Sequence, residues 1–371
     1  MKITDLRCVV FEWETGTIQY VADIEPTARG KLNVLLLRVL TDEGIEGNCT
    51  MFLLDKAIIE HLEAVVRPIL VGQDPIYREA VWQSMWRTSR LSFPHQFVQG
   101  PVDVCLWDIA GKSASLPIYK LLGACRDKVL AYASSRTLPT PDDYAKEASA
   151  CVERGYKAYK LHAHGDPKKD VECCAAARKA VGDDIALMLD AVAGYDRYGA
   201  LWVGRKLEEL NFAWLEEPLQ DWDIDGYAQL CQSLDIPIAG TEVVPGSIFS
   251  TPEYLLRRAV DIVRSDVVFK GGIGPLKKTM GMAEAFGMNC EIHTTATPLT
   301  NVANLHVMCS ARNSWYHEIL VPEAWFSAGV VEDVRIDKQG YVKVPDKPGL
   351  GLELDWGYIN ANKVYETPAL R

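Results

Sequence analysis

The sequence predicts an α/β protein in which an α+β unit leads into a closed barrel of parallel strands ringed by helices. Two observations carry the prediction. From about Val129 onward, short apolar strands alternate strictly with amphipathic stretches, and eight such strands fit into about 190 residues. Polar residues then recur at the C-terminal ends of those strands, the end at which a barrel builds its site. The length of 371 residues suits one barrel with a smaller companion unit.

Taken in order, residues 1–12 and 31–42 alternate in the strand manner, with a polar, glycine-containing insertion between them at about 14–30. Helical spacing follows over residues 56–70, 76–88 and 101–114, so residues 1–125 read as the α+β unit. The barrel strands are expected at 129–134, 158–163, 185–190, 213–217, 236–241, 262–267, 290–293 and 316–319. Helices are expected between them, for example at 141–154, 170–181, 198–210, 275–286 and 300–309. An open doubly wound sheet is the rival, but no G-x-G-x-x-G follows a first strand. The glycine cluster Lys270-Gly271-Gly272-Ile273-Gly274 comes late and lacks the dinucleotide spacing. Ala110-Gly111-Lys112-Ser113 imitates a phosphate loop, yet Leu106 stands where that loop needs its earlier glycine.

Composition narrows the function. A net charge of −11 argues against nucleic acid as a general partner, since a phosphate backbone calls for a basic surface. No run approaches the roughly 18 apolar residues of a membrane span. Ten cysteines with mostly apolar neighbours and no C-x-x-C pair read as buried thiols in a reducing compartment, and the expected location is cytoplasmic.

The chemistry is carried by an acidic ladder. Asp190, Glu216 and Glu242 each close an apolar strand, at separations of 216 − 190 = 26 and 242 − 216 = 26. One carboxylate per βα unit sets the three side by side at the mouth of a barrel, where their repulsion calls for a cation. Hard oxygen ligands suit Mg²⁺. Asp266, His293 and Glu318 continue the ladder at intervals of 24, 27 and 25. An aspartate one strand away can orient the His293 ring and stabilise its charged form. Lys160 and His162 stand two apart in one strand and so face the same way. With Tyr159 and Leu161 turned to the helices, they face the lumen. His164 reads as a mouth or loop residue, and His61, His95, His306 and His317 as structural.

These residues resemble the enolase superfamily, in its mandelate racemase-like branch, over almost the whole chain. Leu189-Asp190-Ala191, Trp214-Leu215-Glu216-Glu217-Pro218 and Ala239-Gly240-Thr241-Glu242 are similar to the three metal-ligand motifs of that branch. Asp266 with Lys270-Gly271-Gly272-Ile273, then Glu291-Ile292-His293, resembles its His-Asp dyad region. The segment Pro101-Val102-Asp103-Val104-Cys105-Leu106-Trp107-Asp108 resembles the lead-in to its barrel. The resemblance implies a modified (β/α)7β TIM barrel over residues 126–325, an α+β capping domain over 1–125, and a segment over 326–371 returning to the cap. It implies Mg²⁺ on Asp190, Glu216 and Glu242 with Glu217 behind them, His293 as base oriented by Asp266, and a homo-oligomer. Glu318 resembles the acid that hydrogen-bonds the substrate carboxylate, and specificity is expected from residues 14–30 with 49–54 nearby. Racemases of the branch carry Lys-x-Lys where this chain has Lys160-Leu161-His162, which puts the two-base reaction in doubt.

The expected reaction is removal of the proton α to the carboxylate of a small-molecule substrate, through an enediolate, with hydrogen bonds added by Lys160 and, if it is protonated, by Glu318. Dehydration of a sugar acid to a 2-keto-3-deoxy acid needs only His293 and Asp266. Racemisation or epimerisation of a 2-hydroxy or amino-acid-like carboxylate would need His162 as well. Whether Lys270 competes as a base stays open.

Overall fold

The computed structural model describes residues 1–20, 26–53, 55–92 and 96–370. Three strands open the chain: β1 (Ile3–Ile18), β2 (Ala28–Thr41) and β3 (Glu46–Phe52). Eight more follow with helices between them: β4 (Lys128–Ser134), β5 (Ala158–His162), β6 (Ala186–Asp190), β7 (Trp214–Glu216), β8 (Ile238–Gly240), β9 (Ile262–Ser265), β10 (Asn289–Ile292) and β11 (Tyr316–Leu320). These eight are parallel, and β11 pairs back onto β4 with Glu318 opposite Tyr132, so the sheet closes. Two short strands end the chain. β12 (Tyr341–Lys343) adds antiparallel to β4, and β13 (Lys363–Glu366) adds antiparallel to β1, giving a cap sheet in the order β13-β1-β2-β3. The architecture is a modified TIM barrel with an N-terminal cap.

Every expected barrel strand is present with its ends shifted by a residue or two. The cap departs further from expectation. Much of the stretch 14–30 is not an insertion but the far end of the β1–β2 hairpin, with Glu14 opposite Lys31 and Ile18 opposite Ala28. The tip of that expected specificity loop, residues 21–25, lies outside the described residues. β3 escapes a period-two reading because it is buried on both faces between β2 and the helix Gln99–Ser113, with Asn48 and Thr50 inside. The helix expected over 56–70 breaks into Ala57–His61, a π-turn at Leu62–Val66 and Arg67–Leu70. Pro68 lacks an amide hydrogen, so the ordinary helical ladder cannot run through this point.

Period-two alternation explains the layers inside the barrel. Tyr132, Ala158, Met188, Trp214, Ala239 and Ile262 fill its bottom as one apolar cluster. Two residues further along their strands come Lys160, Glu216 and Arg264, joined by Glu318 of β11. Asp190, two residues beyond Met188, joins this layer, and above it lie His162 and Asp266 at the strand ends. Cap, barrel lead-in and tail are fastened together through Asp108, whose carboxylate accepts from the Asn48 and Leu350 amides at 3.0 and 2.9 Å and from Lys112 at 2.7 Å. Among the described residues no helix is long and apolar enough to cross a membrane.

Candidate active site

The middle layer of the barrel is a closed ion network. Lys160 Nζ lies 2.6 Å from Glu216, 3.0 Å from Glu318 and 3.1 Å from Asp190. Arg264 Nη2 lies 2.9 Å from Glu216, 3.0 Å from Glu318 and 3.4 Å from Glu242. Both cations are fully buried, and Trp214 Nε1 donates a further bond to Glu216 at 2.8 Å. Burial opposes charge on Glu318, but Lys160 and Arg264 outweigh it and hold the carboxyl well below its usual range. The carboxylate also accepts the Thr294 amide at 3.1 Å. Lys160 points into the barrel, on the inward face it shares with His162. It lies under the carboxylates and is not among the residues lining the cavity above them.

Arg264 was invisible to a search confined to strand ends. It sits mid-strand, two residues before Asp266 and on the same inward face. An arginine inside an otherwise apolar strand run, Ile262-Val263-Arg264, is the signal that marks it.

One layer up, His293 Nδ1 meets Asp266 Oδ2 at 2.6 Å. The other oxygen of Asp266 accepts from the Val268 and Phe269 amides at 2.7 and 2.6 Å, so the carboxylate cannot swing away. Phe269 stacks on the imidazole, and the His293 carbonyl is held by Asn304. The free edge, Nε2, is 3.3 Å from Glu242. Burial works against a charged ring. Glu242 outweighs it, helped by Asp266 and Glu318, and the pKa of His293 rises to about 9.

A cavity of about 420 Å³ opens above these groups. His162, Asp190, Glu217, Glu242, His293 and Glu318 all reach it. His162 and His293 are three strands apart by the shorter way round, β5-β4-β11-β10. His162 turns Nε2 to Asp190 at 3.3 Å, and the Tyr20 ring lies against it with centroids 4.9 Å apart. Lys270, left open as a rival base, does not line the cavity. Its Nζ donates to the Thr241 carbonyl at 2.7 Å, and burial pulls its pKa down to about 8. His164 sits beside Lys169 at the barrel rim, His306 and His317 are buried, and His95 falls outside the described residues.

Of the expected metal ligands, Asp190 and Glu242 face the cavity, whereas Glu216 is turned down onto Lys160 and Arg264. Glu217, expected behind them, lines the cavity and accepts the Glu242 amide at 2.9 Å. Among the described residues no three side chains of His, Cys, Asp or Glu converge in a geometry that would hold a metal ion. The donor chemistry nevertheless fits a hard cation. Burial first, then Glu242 and Asp221, raise Glu217 well above the usual carboxylate range. Burial, with Glu216 and Asp190 adding to it, pushes Glu242 up to about 7 against His293 and Arg264. The cavity side of the site is thus rich in oxygen ligands and short of positive charge, which is what Mg²⁺ supplies.

Residues 143–358 match the family described as enolase C-terminal domain-like, and residues 14–123 match the mandelate racemase/muconate lactonizing enzyme N-terminal domain. The chain belongs to the mandelate racemase-like branch of the enolase superfamily. It is similar to the arabinonate dehydratase of Saccharolobus solfataricus, at 31% identity over 92% of this chain and 93% of that one. It is also similar to the L-talarate/galactarate dehydratase of Salmonella typhimurium, at 34% identity over 77% of this chain and 71% of that one. Among solved structures, the D-glucarate dehydratase of Agrobacterium tumefaciens complexed with magnesium superposes with a TM-score of 0.89 at 37% identity, covering 98% of this chain and 100% of that one. Like the dehydratases it matches, this mandelate racemase-like protein is an enzyme.

Proposed function

We propose that this enzyme dehydrates a sugar acid to a 2-keto-3-deoxy acid, with Mg²⁺ bound by Asp190, Glu216 and Glu242. The observation that carries the reading is the His293–Asp266 pair, fixed at 2.6 Å with Nε2 on the cavity. When bound, Mg²⁺ draws charge from the substrate carboxylate and so makes the neighbouring C–H more acidic.

The chain's own groups do the rest. In its neutral form the His293 ring takes the Cα proton at Nε2, while Asp266 holds the ring and stabilises its charge. The carbanion's electrons form the Cα–Cβ double bond as the β-hydroxyl leaves, and the imidazolium returns its proton to that oxygen. Water departs, and the enol left behind rearranges to the 2-keto acid. Lys160 and Arg264 hold Glu318 as a carboxylate beneath the site and pair with Glu216 beside it. The ten thiols are all free, which supports a reducing, cytoplasmic setting.

Epimerisation is the second reading, favoured by one observation: His162 reaches the same cavity from across the barrel. Incubation of the enzyme with Mg²⁺ and a sugar-acid library in D₂O, followed by NMR, separates the two. A 2-keto-3-deoxy product that is lost in His293→Asn and kept in His162→Asn establishes the dehydratase. Deuterium at Cα of both epimers, with no keto acid and with dependence on His162, overturns it.

A further inference from the structure

The cavity wall is divided. At its inner end the buried atoms Tyr20 Oη, His162 Nδ1 and Thr295 Oγ1 have no hydrogen-bond partner among the described residues, and all three side chains line the cavity. Buried polar atoms of this kind are satisfied when a ligand brings hydroxyl groups to them. Much of the rest of the wall is hydrocarbon, from Met51, Phe52, Ile58, Phe97, Phe269 and Leu320, with Thr27 and Thr294 adding hydroxyls.

Charge divides it further. No lysine or arginine lines the cavity among the described residues. Residues 21–25, 54 and 93–95 contain neither in the sequence. The charged group on the wall away from the acidic floor is Asp55, an anion. A substrate with a second carboxylate would lose hydration there, meet no lysine or arginine among the described lining residues and face the like charge of Asp55.

We infer that the substrate is a 2,3-dihydroxy monocarboxylate whose far end is uncharged and hydrocarbon-like, a terminally deoxygenated aldonic acid being the type, and that the diacid of the same length is rejected. The inference rests on the dehydratase reading for the two hydroxyls and on the cavity wall alone for the far end. It sets this chain apart from a relative that would need a cation to hold a second carboxylate.

The test compares three six-carbon acids of matched stereochemistry: the aldonate, its 6-deoxy analogue and the corresponding diacid. In Mg²⁺-loaded wild-type enzyme, kcat/KM for keto-acid formation is expected to be highest for the 6-deoxy acid and at least 100-fold lower for the diacid. Calorimetric titration of the same acids into Mg²⁺-loaded His293→Asn reads binding without turnover and is expected to give the same order. Ile58→Arg, which sets a cation in the wall, is expected to narrow the diacid gap about tenfold. A diacid bound or turned over as well as the 6-deoxy acid overturns the inference and leaves the dehydratase reading intact. Tight binding of the 6-deoxy acid with Cα exchange but no keto acid sinks the dehydratase reading and leaves the far-end inference standing.

Discussion

Asp266 and His293, 27 residues apart in the chain, meet through Oδ2 and Nδ1 at 2.6 Å because β9 and β10 are neighbouring parallel strands in register. The pairing fixes which ring nitrogen faces substrate, since the proton on Nδ1 is committed to the carboxylate. Replacing Asp266 by Asn keeps the shape and removes the charge that stabilises the imidazolium. The expected result is a loss of about 10²–10⁴-fold in kcat with a small change in KM, read by keto-acid formation. An equal fall in substrate affinity would instead mark Asp266 as a binding residue.

Arg264 is the second prediction. Its guanidinium neutralises Glu216 and Glu318 at the centre of the barrel, a task that among the described residues it shares with Lys160. Arg264→Met leaves buried carboxylates under-neutralised, a change that costs about 3–5 kcal/mol. The expected reading is a large fall in Tm, with Arg264→Lys recovering part of it. An unchanged Tm in the methionine variant would show that Lys160 alone carries the network.

Acid sensitivity follows from His306. The Tyr119 amide donates to Nδ1, Nε2 donates to the Leu350 carbonyl, and burial drops the pKa from 6.5 to about 4. Between those values the unfolded chain binds a proton at this position and the folded chain does not. Stability therefore rises with pH across that window and falls as pH drops through 6.5 toward 4, by about 1.4 kcal/mol per pH unit from this group. His306→Gln is expected to lower Tm at pH 7 and to flatten its decline down to pH 5. A decline as steep as that of the wild type would assign the acid sensitivity elsewhere, His317 being the next group with the same depression.

Gly272 has φ of 132°, and a Cβ there would stand 2.2 Å from the Asp103 carboxylate that accepts the Gly274 amide at 3.1 Å. Gly272→Ala is expected to cost about 1–3 kcal/mol through the backbone alone, before the clash is counted. Denaturant unfolding of the single variant and of its pairing with Asp103→Ala separates the two causes. Full recovery in the double variant would mean that the backbone strain is negligible.

Much of this was legible in the sequence for a simple reason. Parallel barrel strands are apolar runs ending in a polar residue, so Asp190, Glu242, Asp266 and His293 announce themselves by position. Roles decided by three-dimensional neighbours do not. Nothing in Lys160-Leu161-His162 says that Lys160 will turn down onto Glu216 while His162 stays on the cavity. Nor does Glu216-Glu217 say which of two adjacent carboxylates the backbone will aim at it. Glu217 has φ of 42°, a left-handed turn right at the strand end, and that turn brings its side chain round. β3 was missed because a strand covered on both faces has no alternation to read.

The fourth strand of the cap comes from the other end of the chain. Thr367 exchanges bonds with Cys8 across 359 positions, its hydroxyl accepting the Cys8 amide at 3.0 Å and its own amide donating to the Cys8 carbonyl at 2.9 Å. On the ribosome, every barrel strand from β4 to β11 has been made before that edge exists. The barrel can close while the sheet that roofs its cavity still lacks a border, and the roof is completed only once residue 367 has emerged. The border of the cap sheet is therefore laid down last.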